Sequence, residues 1–312
     1  MLVVVNPQAS SVSSRLRNLI IYALQSRFEA VGEVTEEAGH ATAIAAEAVA
    51  SGDYDVITTL GGDGTLNEVV NGMMQGDGPG DTALAVLPGG AANVLARTIG
   101  MPSDLVDATE HLLKLGDNFA PGPVDLGIAG GRYYAFAAGG GLDAAAANRV
   151  DSHPRLKAQG GRWFYTGTAV YSFYRDYLVN PVRMKATGAG RSAEGVTVIA
   201  QNSAPFTYFA DRPIHVCEDI GLDDGSFALA VLRRASQLDL PAILARAFQG
   251  GALARHGQVA QLPALTEATI ESVSYDGQGS ARPFPVQVDG DYIGDFTRLE
   301  LGIRPAALKL LR

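Results

Sequence analysis

Two glycine-rich loops in the first third of the chain contain residue types that suit phosphate binding. The first spans Gly61 to Glu68 and follows the β-branched, mostly apolar run Asp55 to Leu60. Its leading glycines allow close approach of the backbone, and the first amides of a following helix favour an anion. Asp63 would repel a bare polyphosphate, which indicates a magnesium ion or a magnesium-bound water between its carboxylate and the phosphates. The expected nucleotide contacts are Gly61, Gly62, Asp63, Gly64, Thr65, Asn67 and Glu68. The alternative is a glycine turn in which Asp63 or Thr65 only caps a helix.

A second loop of the same design follows the apolar run Ala83 to Leu87 and reads PGGAANVLAR. Because consecutive strands of an open α/β sheet present their carboxyl ends to one ligand, both loops are expected to face the same nucleotide. Alternatively, Asn93 only packs the loops together. The expected contacts in this loop are Gly89, Gly90, Ala91 and Asn93. A third side of the same cleft is expected from Asn6, Pro7, Gln8, Ala9 and Ser10, which follow the opening strand.

The elements around these loops alternate between strand and helix patterns. Helical faces run from Leu16 to Phe28 and from Ala41 to Val49, between the strand-like runs. Alternation through about residue 120 predicts an open sheet of the α/β class. Neither a GxxxxGK[ST] loop nor a GxGxxG fingerprint after the first strand is present, which disfavours the common nucleotide-binding motifs.

The pattern changes after the proline- and glycine-rich stretch at 120–123. Shorter β-like runs follow, among them Val196 to Ala200, Phe227 to Leu232 and Ile270 to Tyr275, with one helix predicted from Leu238 to Phe248. We therefore expect an α/β domain over residues 1–122 and a β-rich domain over residues 123–297. The apolar tail at 298–312 could return to either domain.

Composition limits the classes of function. The 312 residues are 47% hydrophobic and 18% charged, as in ordinary soluble globular proteins. A net charge of -9 disfavours general binding to nucleic acid. Cys217 is the only cysteine, which excludes an internal disulfide and a cysteine-built zinc site, and fits a cytoplasmic location. No apolar stretch approaches the roughly 20 residues of a membrane-spanning helix.

The motifs in combination resemble a known family. GGDGTLNEVVNG, followed by PGGxxN and preceded by NPxxS, is similar to the diacylglycerol kinase catalytic family of bacterial lipid kinases, to which sphingosine and ceramide kinases are related. The first motif alone is shared with NAD kinases, and the combination is more specific. The resemblance covers nearly the whole chain, because similar segments recur at Val124 to Gly127, Gly139 to Ala144, Asp223 to Gly225 and Val288 to Asp291.

This resemblance implies an architecture and a reaction. The fold would be an α/β nucleotide domain like that of NAD and diacylglycerol kinases, an all-β sandwich-like second domain, and a segment at 298–312 that returns to the first. ATP and lipid would meet in the cleft between the domains. With Mg²⁺, the γ-phosphate of ATP would pass to the hydroxyl of diacylglycerol or a similar lipid, giving phosphatidic acid. The implied partners are a lipid alcohol and, transiently, the inner face of the membrane; a homodimer stays open.

The resemblance also implies roles for single residues. Asp291 matches the last residue of the family's Asp-Gly-Glu, taken as the general base, although its side chain is one methylene shorter. Ala91 stands where relatives carry a threonine, and the missing hydrogen bond is worth about 1 kcal/mol. Thr35 matches a threonine that touches the nucleotide. Asp224, with the carbonyls of Gly221 and Ser226, matches a structural magnesium site. The alternatives are plain turns at Asp289 to Asp291 and at Asp224.

Two questions stay open from the residues. The segment Arg149 to Arg191 interleaves basic and aromatic residues, which suits either docking on an anionic bilayer or an amphipathic helix that packs on the sandwich. Besides a lipid kinase, the chain could be an NAD kinase. Ala91 and Asp291 also allow a lipid-binding or regulatory protein whose catalysis has lapsed.

Overall fold

The computed structural model describes residues 1–9, 12–151, 171, 180–218 and 220–312. They form two compact units, which we call unit 1 (residues 1–124 and 306–312) and unit 2 (residues 125–305). The tail therefore divides: residues 306–312 belong to unit 1, whereas 298–305 belong to unit 2. No helix among the described residues is long and apolar enough to cross a membrane.

Unit 1 alternates strands and helices. Its elements are β1 (Leu2–Val5), α1 (Ser14–Gln25), β2 (Val31–Val34), α2 (His40–Ser51), β3 (Val56–Gly61), α3 (Asp63–Met73), β4 (Ala83–Pro88), α4 (Val94–Thr98) and α5 (Leu105–Asp117). The strands lie in the order β2, β1, β3, β4 and are parallel. At the far side of β4, Lys309 and Leu310 pair in parallel with Ala83 and Leu84.

The sequence explains why these runs become a parallel sheet. Strands β1, β3 and β4 are buried at every residue, as expected for strands covered by helices on both faces. Two helices begin at side-chain caps, because Ser13 accepts a hydrogen bond from Leu16 N and Asp104 accepts from Val106 N. Helices α2 and α3 pack closely at Gly72, where a Cβ would lie 2.3 Å from the Thr42 carbonyl oxygen.

The described part of unit 2 consists mainly of strands and also contains helices. The elements are β5 (Gly122–Ala129), β6 (Arg132–Tyr134), β7 (Ala137–Gly141), α6 (Leu142–Asp151), β8 (Met184–Gly188), β9 (Arg191–Gly195), β10 (Thr197–Gln201), β11 (Thr207–Phe209), β12 (Arg212–Ile214), β13 (Phe227–Leu232), α7 (Leu240–Phe248), a 3₁₀ turn (Leu253–Arg255), β14 (Val259–Leu265), β15 (Glu267–Ser272), β16 (Phe284–Val288), β17 (Asp291–Phe296) and β18 (Arg298–Leu310). Strand β5 begins, and strand β18 ends, in unit 1.

Two sheets of unit 2 enclose one apolar core. One is antiparallel, in the order β14, β13, β10, β7, β16, β17; in the other, β18 pairs with β15, β15 with β8 and β8 with β9. Phe284 and Val286 of the first sheet belong to the same buried cluster as Met184, Ile270 and Leu299 of the second. Side chains from two inner faces that share a core define a β-sandwich.

These architectures confirm the predicted fold class, an α/β domain followed by a sandwich-like domain. Some predicted boundaries shift. The strand expected from Ile270 to Tyr275 is β15, which begins at Glu267 and ends at Ser272, and the helix expected from Leu238 begins at Leu240. Pro241 lies in its first turn, where its missing N–H costs no hydrogen bond.

Candidate active site

The three predicted loops of unit 1 leave the sheet at one edge. Strand β3 pairs in parallel with β1 and with β4, and the register places Val5 opposite Leu60 and Gly61 opposite Pro88. The strands end at the same level, so the segments that follow them are neighbours. The sequence prediction that these loops lie together is met within unit 1.

The two glycine loops pack against each other backbone to backbone. Gly89 N donates to Gly61 O at 2.8 Å. A Cβ on Gly89 would lie 2.9 Å from Gly61 Cα, and one on Gly90 would lie 2.5 Å from Gly62 Cα. The glycines are therefore required by this loop contact, in addition to any contact with phosphate.

The Gly90→Ala variant is expected to raise the KM for ATP by about 10- to 100-fold, because the new methyl group meets backbone atoms and must separate the loops. Steady-state kinetics at varied ATP concentration measure this. Gly302→Ala is the matched control, since a Cβ there meets no atom within 4 Å. An unchanged KM for ATP in Gly90→Ala would contradict the assignment of these loops to the nucleotide.

Helix α3 begins without a side-chain cap from its N-cap residue. Its N-cap is Gly62, which offers no side-chain acceptor to the first-turn amides. The partial positive charge of a helix N-terminus favours a phosphate at this place. The uncapped helix and the touching glycine loops thus fit the polyphosphate of ATP.

Asp63 has a structural contact in addition to its predicted role. Its Oδ1 accepts a hydrogen bond of 2.7 Å from Val94 N, at the first residue of α4. The N-cap of α4 is Asn93, which has a left-handed φ of 49° and makes no side-chain cap bond. Asp63 therefore caps helix α4, a contact between two loops that the sequence does not reveal.

Asn93 closes the second glycine loop. Its Oδ1 accepts from Gly90 N at 2.8 Å and its Nδ2 donates to Gly90 O at 2.7 Å. This is the packing role that was the alternative for Asn93. Ala91 is exposed at the loop and has no polar side-chain atom to offer a nucleotide.

Asn6 connects the first strand end to helix α3. Its Nδ2 donates to Thr65 Oγ1 at 3.0 Å, and its Oδ1 accepts from Gln8 N at 2.9 Å. Thr65 is itself almost buried, so its hydroxyl serves this contact. Pro7 and Gln8 are exposed beside it and Ala9 partly so. The prediction for Ser10 lies outside the described residues.

Three residues that were predicted to contact the nucleotide have structural roles, and their contact with the nucleotide stays a prediction. Asn67 is fully buried and accepts from Asn71 Nδ2 at 3.2 Å, so its side chain lies inside the unit. The Glu68 carboxylate accepts from Gly39 N at 2.9 Å and Ala41 N at 3.2 Å, which caps helix α2. Thr35 is buried and donates from Oγ1 to Val5 O at 3.3 Å. Sequence spacing alone could not separate these caps from ligand contacts.

In unit 2, the predicted base lies directly after a tight turn. Asp289 and Gly290, with φ of 47° and 91°, connect β16 and β17, and Val288 pairs with Asp291. A two-residue loop with both φ values positive is the preferred hairpin connection. The β-turn that was the alternative for this segment is therefore present. Asp291 is partly buried as the first residue of β17.

Asp289 anchors this turn from inside the unit. Its carboxylate accepts backbone hydrogen bonds from Ala135, Phe136 and Ala137 at 2.8, 3.0 and 3.1 Å. Burial raises the pKa of the Tyr134 phenol far above its usual value, and the charge of Asp289 raises it further. Tyr134 therefore stays neutral beside the turn.

The residues of the predicted structural metal site make hydrogen bonds within the protein. The Asp224 carboxylate accepts from Gly221 N, and the Asp125 carboxylate accepts from Gly225 N at 2.6 Å. Among the described residues, no group of three or more His, Cys, Asp or Glu could hold a metal ion. A plain turn accounts for these contacts, and ligation by Gly221, Asp224 and Ser226 stays a prediction.

Most of the aromatic and basic segment at 149–191 lies outside the described residues. Within the described part, the Arg149 guanidinium lies 5.1 Å from the centroid of the Tyr171 ring, a cation–π distance.

Comparison with known proteins agrees with these observations. Residues 1–118 match the family model "Diacylglycerol kinase catalytic domain", and residues 137–312 match "YegS C-terminal NAD kinase beta sandwich-like domain". The diacylglycerol kinase of Bacillus subtilis is 30% identical over 231 residues, 72% of this chain and 70% of the relative. That of Staphylococcus haemolyticus is 28% identical over 290 residues, 89% of this chain and 77% of the relative.

A solved structure of a diacylglycerol kinase from Bacillus anthracis has a TM-score of 0.69 at 20% identity, and covers 99% of this chain and 95% of that one. A second structure from the same organism has a TM-score of 0.77 at 22% identity, with coverage of 99% and 94%. At such identities the likeness concerns the fold alone. The matches define the class as a kinase with an α/β catalytic unit and a β-sandwich-like unit. Within that class, the chain belongs to the diacylglycerol kinase catalytic family.

Proposed function

We propose that this kinase transfers the γ-phosphoryl group of ATP to the hydroxyl of diacylglycerol or a similar lipid, which yields phosphatidic acid or its analogue and ADP. One observation carries the proposal: two glycine loops touch backbone to backbone at the uncapped start of α3. This arrangement suits a polyphosphate. The name diacylglycerol kinase, borne by the relatives from Staphylococcus and Bacillus, supports the lipid as acceptor.

The proposed chemistry assigns separate roles to residues of the two units. Asp291 takes the proton of the lipid hydroxyl, whose oxygen forms a bond to the γ-phosphorus. The bond from that phosphorus to the β,γ-bridging oxygen breaks, and its electron pair leaves with ADP. The loops at Asn6, Gly62 and Gly90 hold the polyphosphate in position. Mg²⁺ would be held by Asp63 together with phosphate oxygens and water, and would neutralise charge on the phosphates.

Mixed-micelle assays with labelled ATP and a panel of lipid alcohols test this proposal. We expect incorporation of label into a diacylglycerol-like lipid and formation of ADP in equal amount. The panel should include monoacylglycerol, a sphingoid base and ceramide, because no short motif reports the shape of an acyl pocket. Phosphorylation of none of these lipids would reject the function.

The NAD kinase alternative keeps the phosphate loops and differs in the acceptor. It predicts phosphate transfer from ATP to NAD without lipid, and a colorimetric assay for NADP measures that product. The family model for residues 1–118 bears the diacylglycerol kinase name, which favours the lipid acceptor. Turnover with NAD and none with lipid would reverse this choice.

A surface of unit 2 supports a membrane partner. We call residues 233–256 the arm, which contains α7 and the 3₁₀ turn. The arm has four arginines and one acidic residue, whereas the whole chain has a net charge of -9. Leu238 is 91% exposed, and Arg233 and Arg234 are exposed five and four residues before it. An exposed apolar side chain beside basic residues suits the interface of an anionic bilayer. We propose that the arm contacts such a surface.

Reversal of two charges in the arm tests this contact. The Arg233→Glu/Arg234→Glu variant is expected to bind phosphatidylglycerol vesicles about tenfold or more weakly, since each basic residue near an anionic surface contributes about 1 kcal/mol. Co-sedimentation measures the binding, and phosphatidylcholine vesicles provide the neutral comparison. Arg298→Glu/Arg304→Glu is the matched control, because both of its arginines are exposed in unit 2, outside the arm and outside the segment Arg149 to Arg191. Equal binding of the arm variant and the control would reject the arm as the contact.

A further inference from the structure

A buried glutamine connects the hairpin turn of Asp291 to helix α6. Gln287 is 2% exposed, and its Oε1 accepts a hydrogen bond of 2.7 Å from Gly290 N. Its Nε2 donates to Asp143 Oδ2, also at 2.7 Å. Asp143 lies in the first turn of α6. The side chains of Asp143 and Gln287 therefore form a continuous hydrogen-bonded chain to the amide of Gly290, the residue before Asp291.

The backbone beside Asp143 and Gln287 leaves space for the hydrogen bond between them. Gly139 on β7 lies opposite Gln287 on β16 in the antiparallel register. A Cβ on Gly139 would lie 2.7 Å from Asp143 Oδ2 and 3.0 Å from Gln287 Nε2. Any larger residue would press on the two atoms of the hydrogen bond. Glycine at position 139 therefore leaves room for the hydrogen bond between Gln287 and Asp143.

Two side chains anchor this turn from inside the unit. Asp289 has a φ of 47°, in the left-handed region that the first residue of such a two-residue turn adopts. The Asp289 carboxylate holds one side of the turn through the amides of residues 135–137. Gln287 holds the other side at Gly290 N. The direction in which β17 starts, and with it the position of Asp291, follows from both anchors.

We propose that Asp143 and Gln287 are positioning residues for Asp291, acting through the Gly290 amide. This inference rests on the proposed function, in which Asp291 is the base. It predicts that the hydrogen-bonded chain matters for turnover, and that the charge of Asp143 by itself does not. If Asp143 were instead needed for its charge, Asp143→Asn would lower kcat more than Gln287→Glu does.

A swap of the two side-chain types separates these cases. Gln287→Glu places two carboxylates against each other, so we expect kcat to fall at least about tenfold while the KM for ATP stays unchanged. Asp143→Asn can still accept from Gln287 through its amide oxygen, so it should lose less kcat than Gln287→Glu does. In Asp143→Asn/Gln287→Glu, the asparagine donates and the glutamate accepts from both neighbours. The double variant should therefore recover the kcat lost in Gln287→Glu.

Hydrogen exchange at the Gly290 amide gives a readout that does not depend on activity. Exchange should be slow in the wild type and in the double variant, and at least about tenfold faster in Gln287→Glu. Thermal melting shows that each variant folds. A double variant no more active than Gln287→Glu, or Gly290 exchange that is unchanged in Gln287→Glu, would overturn the inference. If the wild type phosphorylates no lipid, the proposed function fails, and the exchange measurement alone then decides whether the two side chains order the turn.

Discussion

Replacement of Asp291 by asparagine is expected to lower the kcat of lipid phosphorylation by about 10²- to 10⁴-fold, the usual contribution of a general base. Asparagine keeps the size of the side chain and removes its ability to take a proton. Because the change is isosteric at the first residue of β17, lipid binding and thermal stability should be retained. Radiometric turnover in mixed micelles, together with lipid co-sedimentation, measures both properties.

Two further variants give this experiment its controls. Asp295→Asn makes the same chemical change four residues later on β17, at an exposed carboxylate that accepts from the Tyr292 hydroxyl at 2.9 Å, and should leave turnover unchanged. Asp291→Glu restores the longer carboxylate of the family motif and should retain activity. If Asp291→Asn turns over lipid like the wild type, Asp291 is not the base, and another group must take the proton of the lipid hydroxyl. If neither protein turns over lipid but both bind it, a binding protein on a kinase scaffold becomes the better description.

Replacement of Asp63 is expected to give the second large effect. Two substitutions separate its cap of helix α4 from its proposed contact with Mg²⁺. Asparagine at position 63 can still accept from Val94 N through Oδ1, so the cap of α4 is kept while the negative charge is lost. We expect Asp63→Asn to lower kcat by about 10²-fold or more, since charge neutralisation by a metal ion stabilises the transition state by several kcal/mol. Its melting temperature should match that of the wild type. Turnover at varied Mg²⁺ concentration measures the loss of kcat, and thermal melting measures the stability.

Asp63→Ala removes both roles and should additionally lose about 1 kcal/mol of unfolding free energy, the usual contribution of an N-cap. Asp104→Asn is a matched control, because Asp104 is an aspartate cap of α5 in the same unit and its replacement keeps the acceptor. That variant should be fully active. Wild-type turnover in Asp63→Asn would show that Asp63 is a cap alone, and the proposed magnesium contact would be withdrawn.

Local patterns in the sequence were sufficient to predict the strands that lead into the glycine loops. The buried, β-branched runs of β3 and β4 specify strands because only a sheet covered on both faces accommodates them, and glycines directly after them mark the loops. Parallel strands then place those loops at one edge without further information. The hairpin at Asp289 and Gly290 is similarly local, since Asp-Gly is a preferred pair for a two-residue turn.

The roles of single polar side chains are harder to predict from the sequence, for a physical reason. Glu68 and Asp63 lie in the expected loop region, yet the amides that they accept from belong to Gly39 and Val94, 29 and 31 residues away along the chain. A carboxylate that caps a distant helix and one that faces a ligand look identical in sequence. Only the packing of helices α2 and α4 against the start of α3 distinguishes them.

The sequence by itself therefore determined the two kinds of fold, the loops that meet at the sheet edge, and the turn before Asp291, because each follows from hydrophobic periodicity or turn chemistry. The tertiary structure decided what the individual side chains do. Gln287 and Asp143 lie 144 residues apart, and nothing in their local sequence marks them as partners. They meet because β7 pairs with β16 and α6 begins directly after β7, and hydrogen-bond geometry at that crossing requires both chain segments at once.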